Sequence, residues 1–309
     1  MSQFFEESAL KDPTWKRALG LCQELRSVLQ GQIWQLVRSS WLGSMTPQEL
    51  VRTLGFARLN PWCLIRASDL GSGVGFPDAE GVSRAISSLG VQQSAAVLVA
   101  GNLCQMVAER KPGLGWKKLF EDVGLSTNIG RLFGGRVLAV SAGGGAVMGL
   151  ARHMPGLALI ASDSKRYRTL LTSEGTLNPT AVLEAVGCEP YQIAAMMIQQ
   201  LGFGPQIALG VAIAHGKLKP SYIETSEEVR HWEAAYLWCE SLIEGRNFPA
   251  RPEVRTFFSE VTPPAAGARN QLLETLYTEV SRAKAKRAEI TWHLPKLTYE
   301  DTARSYELP

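Results

Sequence analysis

The sequence predicts an all-α protein, and three observations carry that prediction. Apolar residues recur at spacings of three and four in successive runs. Many of these runs open on a capping residue with proline at the first helical position, and many close on glycine. The strict alternation that marks a half-buried strand does not appear, and only Val137-Leu138-Ala139-Val140 reads as a candidate strand. With 309 residues and 45% hydrophobic content, the chain is long enough to bury a sizeable core.

Taken in order, the region from Asp12 to Leu42 reads as helix with a break at Gly31, its stripe formed by Trp15, Leu19, Cys22, Leu25, Leu29, Ile33 and Leu36. The clearest helix start is Met45-Thr46-Pro47-Gln48-Glu49-Leu50. Thr46 and Glu49 make a capping box, Pro47 takes the first helical position, and Met45 is placed to staple onto Leu50. Asn60-Pro61 opens a further helix carrying Leu64 and Ile65, and the glycine-rich stretch Gly71 to Gly75 reads as a loop. Val82, Ala85, Ile86 and Leu89 share one face of a short helix that Gly90 closes, leading into a long apolar helix from Val91 to about Val107. Trp116 to Phe133 supplies another. Leu177-Asn178-Pro179 repeats the staple, cap and proline pattern, with Val182 as the staple's partner.

The stretch from Gly187 to Gly216 is two helices and a corner. Glu189 sits where an N-cap belongs and Pro190 follows it. Ile193, Met196, Met197 and Leu201 recur at helical spacing, and Gly202 stops the run. Pro205 opens the second helix, whose apolar face ends at His215 before Gly216. Thr225-Ser226-Glu227-Glu228 reads as a second capping box, launching a stripe of Trp232, Ala235, Tyr236, Cys239 and Ile243 that ends at Gly245. A last helix carries Leu272, Leu273, Leu276, Tyr277 and Val280 and ends in the basic residues Arg282, Lys284, Lys286 and Arg287, well signed for the helix dipole. The tail from Thr291 to Pro309 has little periodicity and is expected to be extended or mobile.

Charge is nearly balanced: 32 basic and 29 acidic side chains leave a formal net charge of +3, so no global field argues for nucleic acid or membrane. No basic region followed by an apolar run opens the chain and no stretch approaches eighteen apolar residues, so a cytoplasmic location without a membrane span is expected. The five cysteines Cys22, Cys63, Cys104, Cys188 and Cys239 stand singly, without a C-x-x-C pair, and read as buried reduced thiols.

On these residues the chain resembles the HDOD family, helical relatives of the HD phosphohydrolases that have generally lost the metal-binding His-Asp doublet. The helices from Pro190 and Pro205, with the corner Leu201-Gly202-Phe203-Gly204-Pro205, are similar to the family's last two core helices. Asn60-Pro61-Trp62-Cys63-Leu64 resembles its D-P-x-L start, and Ala85-Ile86-Ser87-Ser88-Leu89-Gly90 its A-I-x-x-L-G motif. Gly149-Leu150-Ala151-Arg152-His153-Met154 falls where the parent enzymes keep the doublet, so the doublet reads Arg152-His153. The family's histidine near the helix start is Pro190 here, and its terminal His-His pair is His215-Gly216. The resemblance implies an HDOD-like helical domain over residues 25–220, an N-terminal segment over 1–24 and an appended helical extension and tail over 221–309.

For function the resemblance implies a non-catalytic signalling or regulatory module, acting through a protein partner that the sequence does not identify or through a small ligand, with no cofactor. A divergent metal-dependent phosphohydrolase acting on nucleotides is the alternative; it requires His153 and His215 to survive from the parent site and a carboxylate such as Asp163 or Glu189 to fold back toward them. A vestigial pocket is expected around Arg152, His153, Glu189 and His215. An inward-pointing Arg152 would pair with Glu189, while an outward-pointing one would be an ordinary surface arginine. A nucleic-acid-binding regulator is a further alternative, through the basic loop Lys165-Arg166-Tyr167-Arg168 and the Arg282 to Arg287 helix end; nucleic acid is an unlikely partner, since such clusters usually end helices or line loops. The triple glycine Gly143-Gly144-Gly145 with Gly149 lacks the spacing of a phosphate loop and reads as a flexible loop or close helix packing. No catalytic triad emerges from the spacing of Ser, Cys and His. Circular dichroism should be dominated by the two helical minima; a substantial sheet component would overturn the fold class.

Overall fold

The structure, a computed structural model, describes residues 11–28, 31–57, 61–68, 79–109, 116–216, 226–265 and 268–286. Its described elements are helices, and the pairing Leu171 with Leu177 is a single bridge closing a turn. The helices are α1 Pro13–Val28, α2 Gly31–Trp41, α3 Pro47–Ala57, α4 Trp62–Ala67, α5 Ala79–Leu89, α6 Val91–Glu109, α7 Trp116–Arg136, α8 Ser141–Ala151, α9 Met154–Ser162, α10 Ser164–Tyr167, α11 Pro179–Val186, α12 Pro190–Leu201, α13 Pro205–Ala214, α14 Glu227–Glu244, α15 Pro252–Arg255 and α16 Gln271–Ala285. The all-α expectation holds. The glycine-rich stretch from Gly71 to Gly75 and the tail from Thr291 to Pro309 lie outside the described residues.

Local sequence chemistry sets most helix ends. In the α3 capping box, the Thr46 N–H donates to Glu49 Oε2 at 2.7 Å and the Glu49 N–H donates to Thr46 Oγ1 at 3.3 Å. Asn178 accepts from the N–H groups of Thr180 and Ala181 at the start of α11. Gly90, Gly187, Gly202 and Gly245 take the left-handed conformation where helices stop, as glycine does without steric cost. One cap is displaced from its expected position: α14 begins on Ser226, whose Oγ accepts from the Val229 N–H at 3.3 Å. Thr225, the expected cap, lies outside the described residues.

The candidate strand at Val137 to Val140 is a tight corner between α7 and α8, with the Val140 N–H donating to the Val137 carbonyl at 2.9 Å. The corner is tight because the helices it joins nearly touch. A Cβ on Gly130 would stand 2.0 Å from the Gly145 carbonyl oxygen, one on Gly134 1.9 Å from that of Ser141, and one on Gly149 1.9 Å from that of Ser126. Only hydrogen fits there. The triple glycine is therefore buried helix-packing surface inside α8, and Ser141 at the corner adopts a left-handed φ of 62°, uncommon outside glycine.

Around the α7–α8 pair, α6 and α9 complete the centre, α1 lies along α9 and α12, α2, α4 and α5 cover α6, α3 packs on α2 and α5, and α12 and α13 form the predicted pair. One buried cluster runs from Trp15 of α1 to Ala283 of α16. The N-terminal helix docks on the start of α12: Trp15 meets Tyr191 edge to face at 6.0 Å, and Gln192, 3% exposed, donates to Thr14 Oγ1 at 2.7 Å. Helix α14, read from sequence as part of an extension, packs on α7, α8 and α13. Gly210 of α13 and Gly144 of α8 both lie against Trp232, with would-be Cβ distances of 2.5 and 2.8 Å. All five cysteines are buried free thiols.

The glycine contact makes a sharp prediction. Gly145→Ala, whose Cβ would stand 2.0 Å from a backbone oxygen, should cost about 3 kcal/mol or more, since backbone cannot yield as a side chain can. Gly20→Ala in α1, where nothing lies within 4 Å, should be neutral or stabilise by up to about 1 kcal/mol. Urea unfolding midpoints of the two variants check this, and equal effects would refute the packing account.

Candidate functional site

Arg152 and His153 form the link between α8 and α9, both in right-handed helical conformation, with Pro155 in the first turn of α9. His153 turns to α7: its Nε2 lies 2.9 Å from Ser126 Oγ, a buried hydroxyl 1% exposed. The imidazole thus provides a partner for a buried polar group at the glycine crossing, where one would otherwise be costly.

Arg152 turns to α14. Its Nη1 is 2.9 Å from Glu240 Oε1 and 3.0 Å from Glu244 Oε1, two carboxylates one turn apart on the same helix face. Side-chain exposures of 23% for Arg152, 21% for Glu240 and 35% for Glu244 place the group between a surface pair and a buried one. Glu244 also meets Arg246 at 2.5 Å. Burial pushes the Glu240 carboxyl above its usual range; Arg152 opposes that rise and Glu244 adds to it.

The other two expected pocket residues come from α12 and α13. His215, just past α13, stacks on Tyr191 with ring centroids 5.4 Å apart and meets Tyr236 of α14 at 5.5 Å. Both tyrosines are buried, which raises the phenol of Tyr191 to about 12 and pushes that of Tyr236 upward; Glu189 contributes to the first rise and Glu240 to the second. Tyr236 thereby links the histidine to the Arg152 ion pairs. Glu189 takes its expected place before α12, where its N–H donates to Gln192 Oε1 at 2.8 Å.

Arg152 has Glu240 and Glu244 as carboxylate partners, because α14 packs on α8 and brings its acidic face there. The sequence signal was available: Glu240 and Glu244, four apart, flank the buried Tyr236 and Cys239 stripe. Asp163 does not turn toward the histidines with its bonded oxygen; Oδ1 caps α10, accepting from the N–H groups of Lys165 and Arg166 at 3.1 Å each. Among the described residues no group of three or more His, Cys, Asp and Glu is placed to hold a metal, and a guanidinium at the doublet position disfavours a cation further. The residues present therefore do not fit a metal centre.

His231 lies among Trp232, Phe257 and Phe258, and burial lowers its pKa. Lys165 to Arg168 form α10 and the start of a 3₁₀ turn, Arg168–Leu170. At the end of α16, Lys284 donates to the Leu242 carbonyl at 2.6 Å, so this charge is engaged near the end of α14. Arg287 and His293 lie outside the described residues. Among the described residues no helix is long and apolar enough to cross a membrane.

Comparison with known proteins supports this fold. A protein from Shewanella amazonensis SB2B named "Putative phosphohydrolase" superposes with a TM-score of 0.55 at 16% identity, over 96% of this chain and 99% of that one. An HDOD domain protein of unknown function from Geobacter sulfurreducens superposes with a TM-score of 0.58 at 12% identity, over 90% of this chain and 99% of its own. No family model matches the sequence, and no curated protein matches it. The chain has an HDOD/HD-like all-α fold.

The Arg152 ion pairs yield a pH-dependent prediction. Arg152→Ala should cost about 1–2 kcal/mol at neutral pH, between the values for exposed and buried pairs. A carboxyl whose folded pKa is raised weakens the fold as pH climbs through its titration, and losing Arg152 enlarges that rise at Glu240. The cost should therefore fade as acid neutralises the carboxylates, toward about pH 4. Unfolding midpoints at pH 4 and 7 measure it; an equal cost at both would contradict the assignment.

Proposed function

We propose that this chain is a non-catalytic signalling or regulatory module that acts through a protein partner or a small ligand. One observation carries the reading: the doublet position holds Arg152, ion-paired to Glu240 and Glu244 of α14. Hydrolysis at an HD-type centre needs imidazoles and carboxylates free to converge on one or two metals. Here two nearby carboxylates are engaged by a guanidinium, His153 by Ser126, and Asp163 by a helix start. The resemblance to HDOD proteins supports the same reading, and its regulatory content comes from that resemblance.

A divergent metal-dependent phosphohydrolase acting on nucleotides is the second reading. It is favoured by the nearness of His215 to the Arg152 cluster through Tyr236, and by the name of one structural neighbour. The two readings part on a simple measurement. Protein purified without chelator should retain no stoichiometric metal, and with added manganese should hydrolyse neither nucleotides nor cyclic nucleotides. Stoichiometric metal together with turnover lost in His215→Ala would overturn the non-catalytic reading.

A further inference from the structure

Three large apolar side chains face water at one end of the helix bundle. Leu42, just past α2, is 68% exposed, Leu138 at the α7–α8 corner 86%, and Phe257, shortly after α15, 38%. Contacts between their neighbours bring them to the same end. Gln92, in the first turn of α6, donates to the Trp41 carbonyl at 3.2 Å, and its Cβ lies against Gly143 in the first turn of α8. The His231 ring, in the second turn of α14, bonds to the backbone of Ala139 and meets Phe257 at 6.1 Å. The end of α2, the start of α6, the α7–α8 corner and the start of α14 therefore share one end face.

That face is poor in charge. Residues 39–48, 85–94 and 137–145 contain no Asp, Glu, Lys or Arg, in a chain whose residues are 20% charged. Exposed apolar side chains gathered on an uncharged surface mark a place where the protein meets something else. Charge also selects the occupant. An anionic membrane surface is held by free cations at the rim of an apolar patch. Here Arg136, beside the corner, is ion-paired to Glu279, and Glu228 stands near His231. A highly charged partner would find no counter-charge. A second copy suits the face, because a two-fold interface sets a surface against itself and only an uncharged one does so without repulsion.

We propose that two copies of this chain associate through this end face about a two-fold axis, with Leu138 near the axis. Leu138 is the most exposed large apolar side chain among the described residues, and the chain of contacts places its corner between Leu42 and Phe257. Helix ends about 10 Å across, side by side, give an area on the order of 500 Å² per copy. A standard interface buries about 800 Å² per partner, so the dimer is weak and exchanging. Arg152 stands at the other end of the 11-residue α8, so the inference does not depend on the reading of that site.

Sedimentation velocity on the full chain at physiological salt, from low to high micromolar concentration, tests this. The weight-average mass should rise with concentration toward that of a dimer. Leu138→Lys sets like charges near the axis without disturbing the core, and should raise the dissociation constant about tenfold or more with an unchanged circular dichroism spectrum. Leu42→Lys should act in the same direction. Leu183→Lys, on α11 and equally open to water, should leave association unchanged. A chain that stays monomeric throughout, a dimer indifferent to Leu138→Lys, or an equal loss in Leu183→Lys would each overturn the proposal. So would retention of the chain on phosphatidylglycerol vesicles that Leu138→Glu abolishes, which would assign the face to a membrane instead.

Discussion

The close crossing of α7 and α8 is the constraint on which the rest of the structure depends. Gly130, Gly134, Gly145 and Gly149 let two backbones approach to distances that any side chain would forbid. Glycine inside a helix ordinarily costs about 1 kcal/mol relative to alanine. That cost is offset here by contact along both helices, and it fixes the corner at Ser141 and the direction in which α8 delivers Arg152 and His153. The His153–Ser126 bond is a consequence of the same approach, since Ser126 contributes the carbonyl that faces Gly149.

A second glycine contact, Gly210 and Gly144 against Trp232, seats α14 on the α8–α13 surface. Once α14 is there, Glu240 and Glu244 necessarily meet Arg152, and Tyr236 meets His215. The helix is thus part of the core and of the candidate site at once. Its carboxylates balance the charge of Arg152, which stands at the histidine position of the resembled doublet, and this gives that residue a physical context: a partly buried cation requires nearby anions.

The two ends of α9 have different chemistry. At its start, charges are paired and aromatic rings are stacked over one another, leaving polar groups satisfied. At its end, Arg17, Asp163 and Arg166 line an open, mostly polar cavity.

The sequence by itself determined the all-α class, the starts at Pro47, Pro179, Pro190 and Pro205, and the stops at Gly90, Gly202 and Gly245, because caps and helix breakers act over three or four residues. It also marked Arg152, His153, Glu189 and His215 as residues to watch, through the motif they resemble. Which of them meet was decided only in the tertiary structure. Arg152 finds Glu240 and Glu244, 88 and 92 positions away, because α14 lies on α8, and that docking depends on glycines whose role is invisible until another backbone passes beside them. Val137 to Val140 shows the same limit on a smaller scale: a β-like run of residues became a corner because the flanking helices were drawn together by contacts that no local pattern encodes.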